Sequence, residues 1–348
     1  MAEARIYVPP TELKSPARSY NQIHRARKHT PGRRRVSIYV CWSFPGEANR
    51  DVSDLDNRFS TMTEVRRVEW PFWEAPEWSD PTMFQQGIAG ALELFFRAWL
   101  PFQELVGEVT GHGVPVFQRV DQAGYRLPLD ERVLADTDTL LFFGLDHVLT
   151  EQEASPDEIE AVSHWLEREG HVLVLGPHHD VGTSTDVNQR AMEYAHHGDL
   201  LVPRQQRFGK YTRSLMKGLG VPVDNQYGLR PGVVQGTAQI APLTANRDLD
   251  RRGWLAGVTN FSFHKHLPHY AITEASNGIH VLGRQPIDLS KPHPFTEAGN
   301  REFNSFVWMP PGGARGGEIL LADSTVFSTL FGADESVKRF WKNLATAP

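Results

Sequence analysis

A strand–helix–strand unit in residues 139–176 constrains the fold of this chain more than any other feature. TLLFFG (Thr139 to Gly144) and HVLVLG (His171 to Gly176) are apolar runs of strand length that end in glycine. Between them, EIEAVSHWLERE carries apolar side chains at helical spacing, namely Ile159, Val162, Trp165 and Leu166. Two strands joined by a helix pair in parallel through a right-handed crossover. The unit therefore predicts an α/β protein with a parallel sheet.

The connecting helix has clear start and stop signals. Ser155 is suited to the N-cap, Pro156 to the first helical position, and acidic residues to the first turn. Gly170 is expected to end the helix. Glu158 and Glu160 on this helix are expected to be solvated.

Further strands and helices are predicted on both sides of this unit. VSIYVC (Val36 to Cys41), VPVFQRV (Val114 to Val120) and EILLAD (Glu318 to Asp323) are expected to be strands of the same sheet. Residues 83–108 have helical spacing, with a kink or interruption expected at Pro101, and 336–345 form a closing helix. In the less regular stretch 183–310 a helical segment is expected near 185–220. The candidate strands there are VVQGTAQI, YAITEA and GIHVLGRQPI.

This pattern divides the chain into four parts. We expect an N-terminal basic arm (1–35), an α/β core (36–182), an insertion or subdomain (183–310), and the final core strand and helix (311–348). The arm contains HRARKHTPGRRR (His24 to Arg35). This run serves either as a contact for an anion or partner, or as a solvated or subunit-spanning arm, and the acidic remainder of the chain favours the second.

Charge, hydropathy and cysteine usage narrow the classes of partner. The formal net charge of −6 argues against general nucleic-acid binding. No apolar run approaches the length of a membrane span, and the N-terminus lacks the apolar stretch of a signal peptide. The single cysteine, Cys41, excludes an internal disulfide and is expected to be a buried structural residue. We expect a cytoplasmic protein, a small-molecule substrate and a homo-oligomer, with a homodimer as the simplest case.

Polar residues follow several predicted strands at their carboxyl ends. In open parallel sheets these ends form the edge where ligands bind. The residues expected to share this edge are Trp42, Ser43, Asp146, His147, His178, His179, Asp180, Asp323, Ser324 and Thr325.

Histidine and carboxylate groups at one edge are typical ligands of zinc, manganese or iron. The residues expected to be catalytic are His178, His179, Asp180, Asp146 and Asp323. The residues expected to bind a divalent metal are His178, His179, His147, His264 and His266. Adjacent histidines point in opposite directions in extended chain, so both rarely bind one ion. A metal-free histidine acting as acid or base at the same place is an equal alternative.

The segment around His264 and His266 has two interpretations. In a strand both side chains lie on one face, a ligand arrangement that occurs in metal sites. Alternatively, it is a histidine-bearing strand edge that Pro268 ends, and it forms a wall of the pocket above the sheet edge.

Two stretches resemble the class I glutamine-amidotransferase-like superfamily, in particular its noncanonical, trehalose-utilisation-like branch. They are TLLFFGLDHVLTEQEASPDEIEAVSHWLEREGHVLVLGPHHDVG and GEILLADSTVFSTLFGADESVKRFWKNL. The resemblance implies a mainly parallel, flavodoxin-like or amidotransferase-like sheet with helices on both faces and an inserted mixed α+β segment. The turn that holds the catalytic cysteine in true amidotransferases here reads Gly176-Pro177-His178-His179-Asp180, which excludes a thiolate mechanism at this position.

The chemistry of the edge residues leads to a first hypothesis for function. It is a hydrolase-type enzyme, assisted by a divalent metal, that acts on a small polar substrate. The alternative is a non-catalytic ligand-binding or assembly module, which the resemblance to cysteine-lacking superfamily members implies. An iron-dependent redox enzyme is a third option.

Overall fold

The chain folds around one large sheet, which a computed structural model describes together with its helices. The described residues are 27–41, 97–119, 127–146, 152–198, 207–261, 266–274, 278–329 and 334–346. The strands in these ranges are β1 (Val36–Cys41), β2 (Val116–Gln118), β3 (Thr139–Gly144), β4 (Val172–Pro177), β5 (Val223–Leu229), β6 (Thr244–Ala245), β7 (Leu267–Ile272), β8 (His280–Pro286), β9 (Glu302–Met309) and β10 (Glu318–Leu321).

Within the described ranges, eight strands form the main sheet in the order β2-β1-β3-β4-β10-β9-β8-β6. The pairings from β2 through β10 are parallel. Those from β10 through β6 are antiparallel. The predicted α/β class with a mostly parallel sheet is thus confirmed. The stretch 183–310, expected to be an insertion, supplies the antiparallel strands β6, β8 and β9.

The helices within the described residues, in chain order, are α1 (97–110), α2 (Glu131–Leu134), α3 (Pro156–Trp165), α4 (Val187–His197), α5 (Lys210–Gly218), α6 (Pro294–Glu297) and α7 (Glu335–Thr346). A 3₁₀ turn, Ser324–Phe327, follows β10. None of the described helices combines the length and the apolar character needed to cross a lipid bilayer.

Side-chain alternation in the central strands gives the sheet two cores. In β3, Leu141 and Phe143 lie in one buried cluster with α1 and α7. Leu140 and Phe142 point to the other face and lie in a cluster with α2, α3 and α5. Every residue of β3 is buried, as expected for a strand covered on both faces.

The predicted strands are largely confirmed, with small differences at their ends. β1 and β3 have the predicted bounds. β2 and β10 are shorter than predicted, and β4 is displaced by one residue. The strands predicted around YAITEA and GIHVLGRQPI correspond to β7 and β8.

The predicted strand VVQGTAQI and the interruption of the helix expected at Pro101 are both wrong. VVQGTAQI is a tight loop instead of a strand, because Gly236 takes a positive φ and the single bridge Val233–Ile240 closes the loop. α1 continues through Pro101 without interruption. Buried Trp99 and Phe102 on either side of the proline anchor α1 to the core, which offsets the one backbone hydrogen bond that proline removes.

The start of α3 is confirmed, and its end differs from the prediction. Ser155 and Glu158 form a reciprocal capping box. The helix ends at Trp165 instead of continuing to Gly170. The carbonyls of Trp165 and Leu166 are bound by tertiary donors, the His171 ring and the Gly317 N–H, so they do not continue the helix.

Glu158 is buried, contrary to the expectation that it is solvated, whereas Glu160 is exposed as expected. The Glu158 carboxylate forms an ion pair with Arg119 and accepts hydrogen bonds from the Tyr211 hydroxyl and the Leu129 N–H. The three donors compensate for the burial of the charge.

The described end of the basic run binds the protein's own acidic residues. Arg27 pairs with Asp136 at 3.3 Å, and Arg35 pairs with Asp138 at 2.6 Å. These contacts hold the segment against the chain that leads into β3.

Candidate metal centre

The carboxyl ends of β3, β4 and β10 meet at one edge of the sheet. The His178 N–H donates to the Gly144 carbonyl at 3.0 Å, which joins the ends of β3 and β4. A Cβ on Gly176 would lie 2.9 Å from the Ala322 carbonyl, so glycine permits the close approach of β4 and β10. The edge therefore brings together residues that follow three different strands.

His178 and Asp323 form a buried pair at this edge. The two atoms His178 Nδ1 and Asp323 Oδ1 are 3.4 Å apart, and each side chain is 1% exposed. Asp323 Oδ2 also accepts a hydrogen bond from the Thr325 hydroxyl. A carboxylate at Nδ1 favours the tautomer that carries its proton there, which makes Nε2 the basic nitrogen.

Asp180 is held by donors from the chain that follows α4. Its carboxylate accepts from Arg207 Nε at 3.0 Å, from an Arg213 terminal nitrogen at 2.7 Å and from the Phe208 N–H at 3.1 Å. Burial raises the pKa of Asp180, and the two guanidinium groups act against that shift. These contacts fix the chain after β4 against the start of α5.

Asp146 joins the end of β3 to the start of α5. The Tyr211 N–H donates to Asp146 Oδ2 at 2.9 Å. Complete burial raises the pKa of this carboxyl to about 6. The neighbouring Cys41 is buried as expected, and its thiol donates to Gln152 Oε1 at 2.9 Å.

Three buried histidines, His179, His197 and His266, converge next to this edge, and we call them the histidine triad. One ligand nitrogen of each lies within 4.8 Å of the others. The ring centroids are 4.8 Å apart for His179 and His197, 4.3 Å for His179 and His266, and 3.8 Å for His197 and His266. The three residues are 2%, 3% and 6% exposed, respectively.

The triad residues come from three separate segments. His179 follows β4, His197 is the last residue of α4, and His266 directly precedes β7.

Strand β5 contacts each of these segments. Asn225 Nδ2 donates to the His178 carbonyl at 2.6 Å, and the Gly228 N–H donates to the Asp180 carbonyl at 2.8 Å. Leu229 pairs with Leu267, beside His266. Arg230, directly after β5, binds the end of α4. β5 therefore sets the relative positions of the three ligands.

Each adjacent histidine pair contributes one member to the triad. His178 faces Asp323 while His179 lies in the triad, although their ring centroids are only 4.0 Å apart. His196 binds the Lys291 carbonyl and the Arg230 N–H while His197 lies in the triad. Only one member of each pair therefore belongs to the triad.

The structure brings together part of the predicted ligand set. His179 and His266 lie in the triad, and His178 lies beside it. His147 and His264 lie outside the described residues, as do Trp42 and Ser43. Pro268, expected to end a strand at this point, instead lies inside β7, opposite Gly228 at an irregularity of the β5–β7 pairing.

The sequence prediction missed His197. The only sequence signal for it was the pair His196-His197 before Gly198, which predicts a helix end. That signal does not show that the end of α4 lies against the end of β4.

The triad fits a divalent metal by donor chemistry and, for one pair of its nitrogens, by spacing. A tetrahedral zinc ion with Zn–N bonds of about 2.0–2.1 Å separates two ligand nitrogens by roughly 3.4 Å. The Nε2 atoms of His179 and His197 are 3.4 Å apart. Three histidine ligands leave a fourth position for water or substrate, as in catalytic zinc sites.

A polar cavity of about 380 Å³ is lined by sequence neighbours of the triad residues and not by the three histidines themselves. Its lining includes Asp180, next to His179, and Glu193, one helical turn before His197. Tyr227, next to Gly228, forms part of another wall. The cavity is therefore near the triad, and charged and amide side chains dominate its lining.

Comparison of the chain with models of known protein families, with curated proteins and with solved structures finds no match.

Proposed function

We propose that this protein is a metal-assisted hydrolase for a small polar substrate, with a divalent ion held by His179, His197 and His266. The observation that carries the proposal is the convergence of these three buried imidazoles from separate segments. Zinc is the first candidate because neutral imidazole nitrogen is among its preferred ligands, with manganese and iron as the other candidates. When bound, such an ion supplies an activated water near neutral pH.

His178 is the proposed general base, and Asp323 orients it. Asp323 at Nδ1 holds the ring in the tautomer whose Nε2 accepts a proton. The His178 ring lies beside the His179 ring, so a proton acceptor adjoins the proposed ligand set. Asp180 and Asp146, which the sequence predicts to be catalytic, instead anchor the start of α5 in this proposal.

The polar cavity lined by Asp180 and Glu193, which are close in sequence to two of the proposed ligands, supports a small polar substrate. A volume of about 380 Å³ lies in the range of small-molecule sites. We keep membership of the amidotransferase-like superfamily, with a flavodoxin-like arrangement of the parallel strands, as part of the proposal. Its support is the order of β3, α3, β4 and β10 and the polar turn after β4. A cytoplasmic homo-oligomer without nucleic-acid or membrane partners also remains part of the proposal.

A non-catalytic, metal-bearing binding module is the second candidate. The observation that favours it is the deep burial of the triad, because structural metal sites are closed to solvent. In that case the ion would only hold β4, α4 and β7 together, and the cavity would bind a ligand without turnover.

The first test is metal content, measured by mass spectrometry on protein purified without a His-tag or chelator. We expect near-stoichiometric metal in the wild type and its loss in His179→Ala and His197→Ala. His164→Ala is the matched control, since this histidine lies on α3 with its side chain 73% exposed. Metal-free wild-type protein that also fails to bind added zinc, manganese or iron contradicts the proposal.

The second test separates the hydrolase from the binding module. His178→Ala is expected to keep the metal and to lose hydrolysis of chromogenic esters, amides and phosphate esters by the loaded protein. A general base contributes roughly 10²–10⁴-fold to rate. A metal-loaded wild type that hydrolyses none of these substrates favours the binding module.

A further inference from the structure

We infer that Arg230 is a positioning residue that sets the metal affinity of the centre by fixing His197, an inference that rests on the proposed metal site. Arg230 directly follows β5 and reaches the last turn of α4. No atom of Arg230 is proposed as a metal ligand. Its effect on the centre passes through the backbone of the helix that ends in His197.

Arg230 binds both carbonyls at the end of α4. One terminal guanidinium nitrogen donates to the His197 carbonyl at 3.2 Å, and Nε donates to the His196 carbonyl. The last carbonyls of a helix have no partner within the helix, and they form the negative end of its dipole. A guanidinium group is suited to this place because its planar donors reach two acceptors at once.

Gly198 provides the space for this contact. It has φ 92°, a left-handed conformation that ends the helix. A Cβ at this position would lie 2.1 Å from an Arg230 terminal nitrogen. The backbone conformation therefore favours glycine here, and a Cβ would displace the guanidinium group from its present position.

His196 adds a second connection between Arg230 and the helix end. The Arg230 N–H donates to His196 Nε2 at 2.9 Å, and His196 Nδ1 lies 2.8 Å from the Lys291 carbonyl. A ring that accepts at Nε2 and donates at Nδ1 is neutral and uses both nitrogens, so it is not available as a ligand. Arg230 therefore holds His197 at its carbonyl, and the neighbouring His196 ring is fixed through both of its nitrogens.

The consequence for metal binding follows from preorganisation. A terminal helical residue frays unless its carbonyls are bound. A frayed helix end would let His197 Nε2 leave its position 3.4 Å from His179 Nε2. Removal of partners that orient a metal ligand typically weakens metal affinity about 10–100-fold.

Cobalt(II) titration of the apo-protein tests this inference, because cobalt reports both affinity and ligand geometry by its visible absorption. We expect Arg230→Ala to raise the cobalt Kd by about 10–100-fold. Its visible absorption at saturation should weaken towards that of His197→Ala, since water replaces the third imidazole. Arg230→Lys keeps a cation at the helix end with fewer donors, so we expect an intermediate Kd and spectrum. Arg284→Ala, at an exposed arginine of β8, is the control and should match the wild type.

The outcomes separate this inference from the proposal on which it rests. A wild type that binds no cobalt overturns the metal centre itself. A wild type that binds cobalt, with folded Arg230→Ala giving the same Kd and spectrum, overturns the role of Arg230 and leaves the centre standing. If Arg230→Ala does not fold, Arg230→Lys decides: wild-type affinity and spectrum in that variant overturn the inference.

Discussion

At the scale of single residues, Gly228 controls how closely two ligand rings approach strand β5. A Cβ built on this residue would lie 2.7 Å from His197 Cδ2 and 2.8 Å from His179 Nδ1. Both distances are shorter than a Cβ contact allows, so a side chain at this position would have to displace the two rings. The irregular pairing of β5 with β7 falls between Gln226 and Gly228, at the same place.

Gly228→Ala is therefore predicted to displace His179 and His197 and to weaken metal binding by at least 10-fold, comparable to the loss of an orienting partner. The measurement is the Kd for zinc by competition with a chelating dye. Gly113→Ala is the matched control, because Gly113 has no atom within 4 Å of its Cβ position and has no positive φ. Equal zinc affinity in the two variants would contradict this geometry.

His293 provides a prediction for pH dependence. Its Nδ1 accepts the Phe295 N–H at 3.0 Å at the start of α6, and burial lowers its pKa to about 3. Below pH 6.5 the unfolded chain binds a proton that the folded state excludes. The free energy of unfolding therefore falls as the pH decreases from about 6.5 to about 3, by up to roughly 1.4 kcal/mol per pH unit from this group.

The measurement is urea unfolding between pH 7 and pH 4 with chelator present, for wild type and His293→Asn. Asparagine can accept the same N–H bond but does not titrate. We expect a shallower pH dependence in the variant. Parallel stability curves would show that His293 does not contribute in this range.

The sequence predicted most of the edge residues but only part of the triad. His178, His179 and Asp323 were found because they directly follow buried strands, whose direction fixes where the next residue lies. His197 was missed because its position depends on the path of the chain after α4 starts, and no strand signal marks that path.

At the scale of elements, the buried pair Arg119–Glu158 connects the end of β2 to the first turn of α3. The Arg119 guanidinium also lies 3.9 Å from the ring centroid of Tyr211 on α5, a cation–π contact. One ion pair thus connects three elements on the same face of the sheet.

Glu158→Gln is predicted to destabilise the protein by about 3–5 kcal/mol, because it leaves the Arg119 charge buried without an anion. Glu160→Gln, at an exposed position two residues further along α3, is the control and should change the free energy of unfolding by less than about 0.5 kcal/mol. Chemical denaturation measures both. A similar small effect for the two variants would show that Arg119 finds another partner.

The sequence predicts strands in which every residue is buried, whereas it does not predict β6 and β9, which have mixed burial. β1, β3 and β4 are buried throughout and mostly apolar, and a short, mostly apolar run is a strong strand signal. The antiparallel strands β6, β8 and β9 have mixed burial. Of these strands, β9 pairs with β10, β8 pairs with β9, and β6 pairs with β8. Local sequence patterns do not contain these pairings between strands.

At the scale of the whole molecule, a bound ion would join the two-stranded sheet of β5 and β7 to the main sheet. The two sheets already meet where Asn304 on β9 binds His269 and the Tyr270 carbonyl. The triad adds a second connection from the end of β4 and the end of α4 to the start of β7.

Zinc is therefore predicted to slow amide hydrogen exchange in β5, β7 and the last turn of α4 more than in α7, which lies away from the triad. At 100-fold excess over Kd the stabilisation is about 2.7 kcal/mol. Hydrogen-exchange mass spectrometry of apo and zinc-loaded protein measures it, with His179→Ala as the control that should not respond. Uniform protection across all peptides would contradict a local cross-link.

The position of β10 also has a consequence for how the protein is made. β10 lies between β4 and β9 in the sheet, yet it is the last of the described strands along the chain. During synthesis the two halves of the sheet have no common neighbour until residues 318–321 leave the ribosome. Until then β4 and β9 each expose an unpaired edge that can pair with other chains. Truncation before β10 should therefore yield aggregating chains, and folding should depend on chaperones until the C-terminal strand is available.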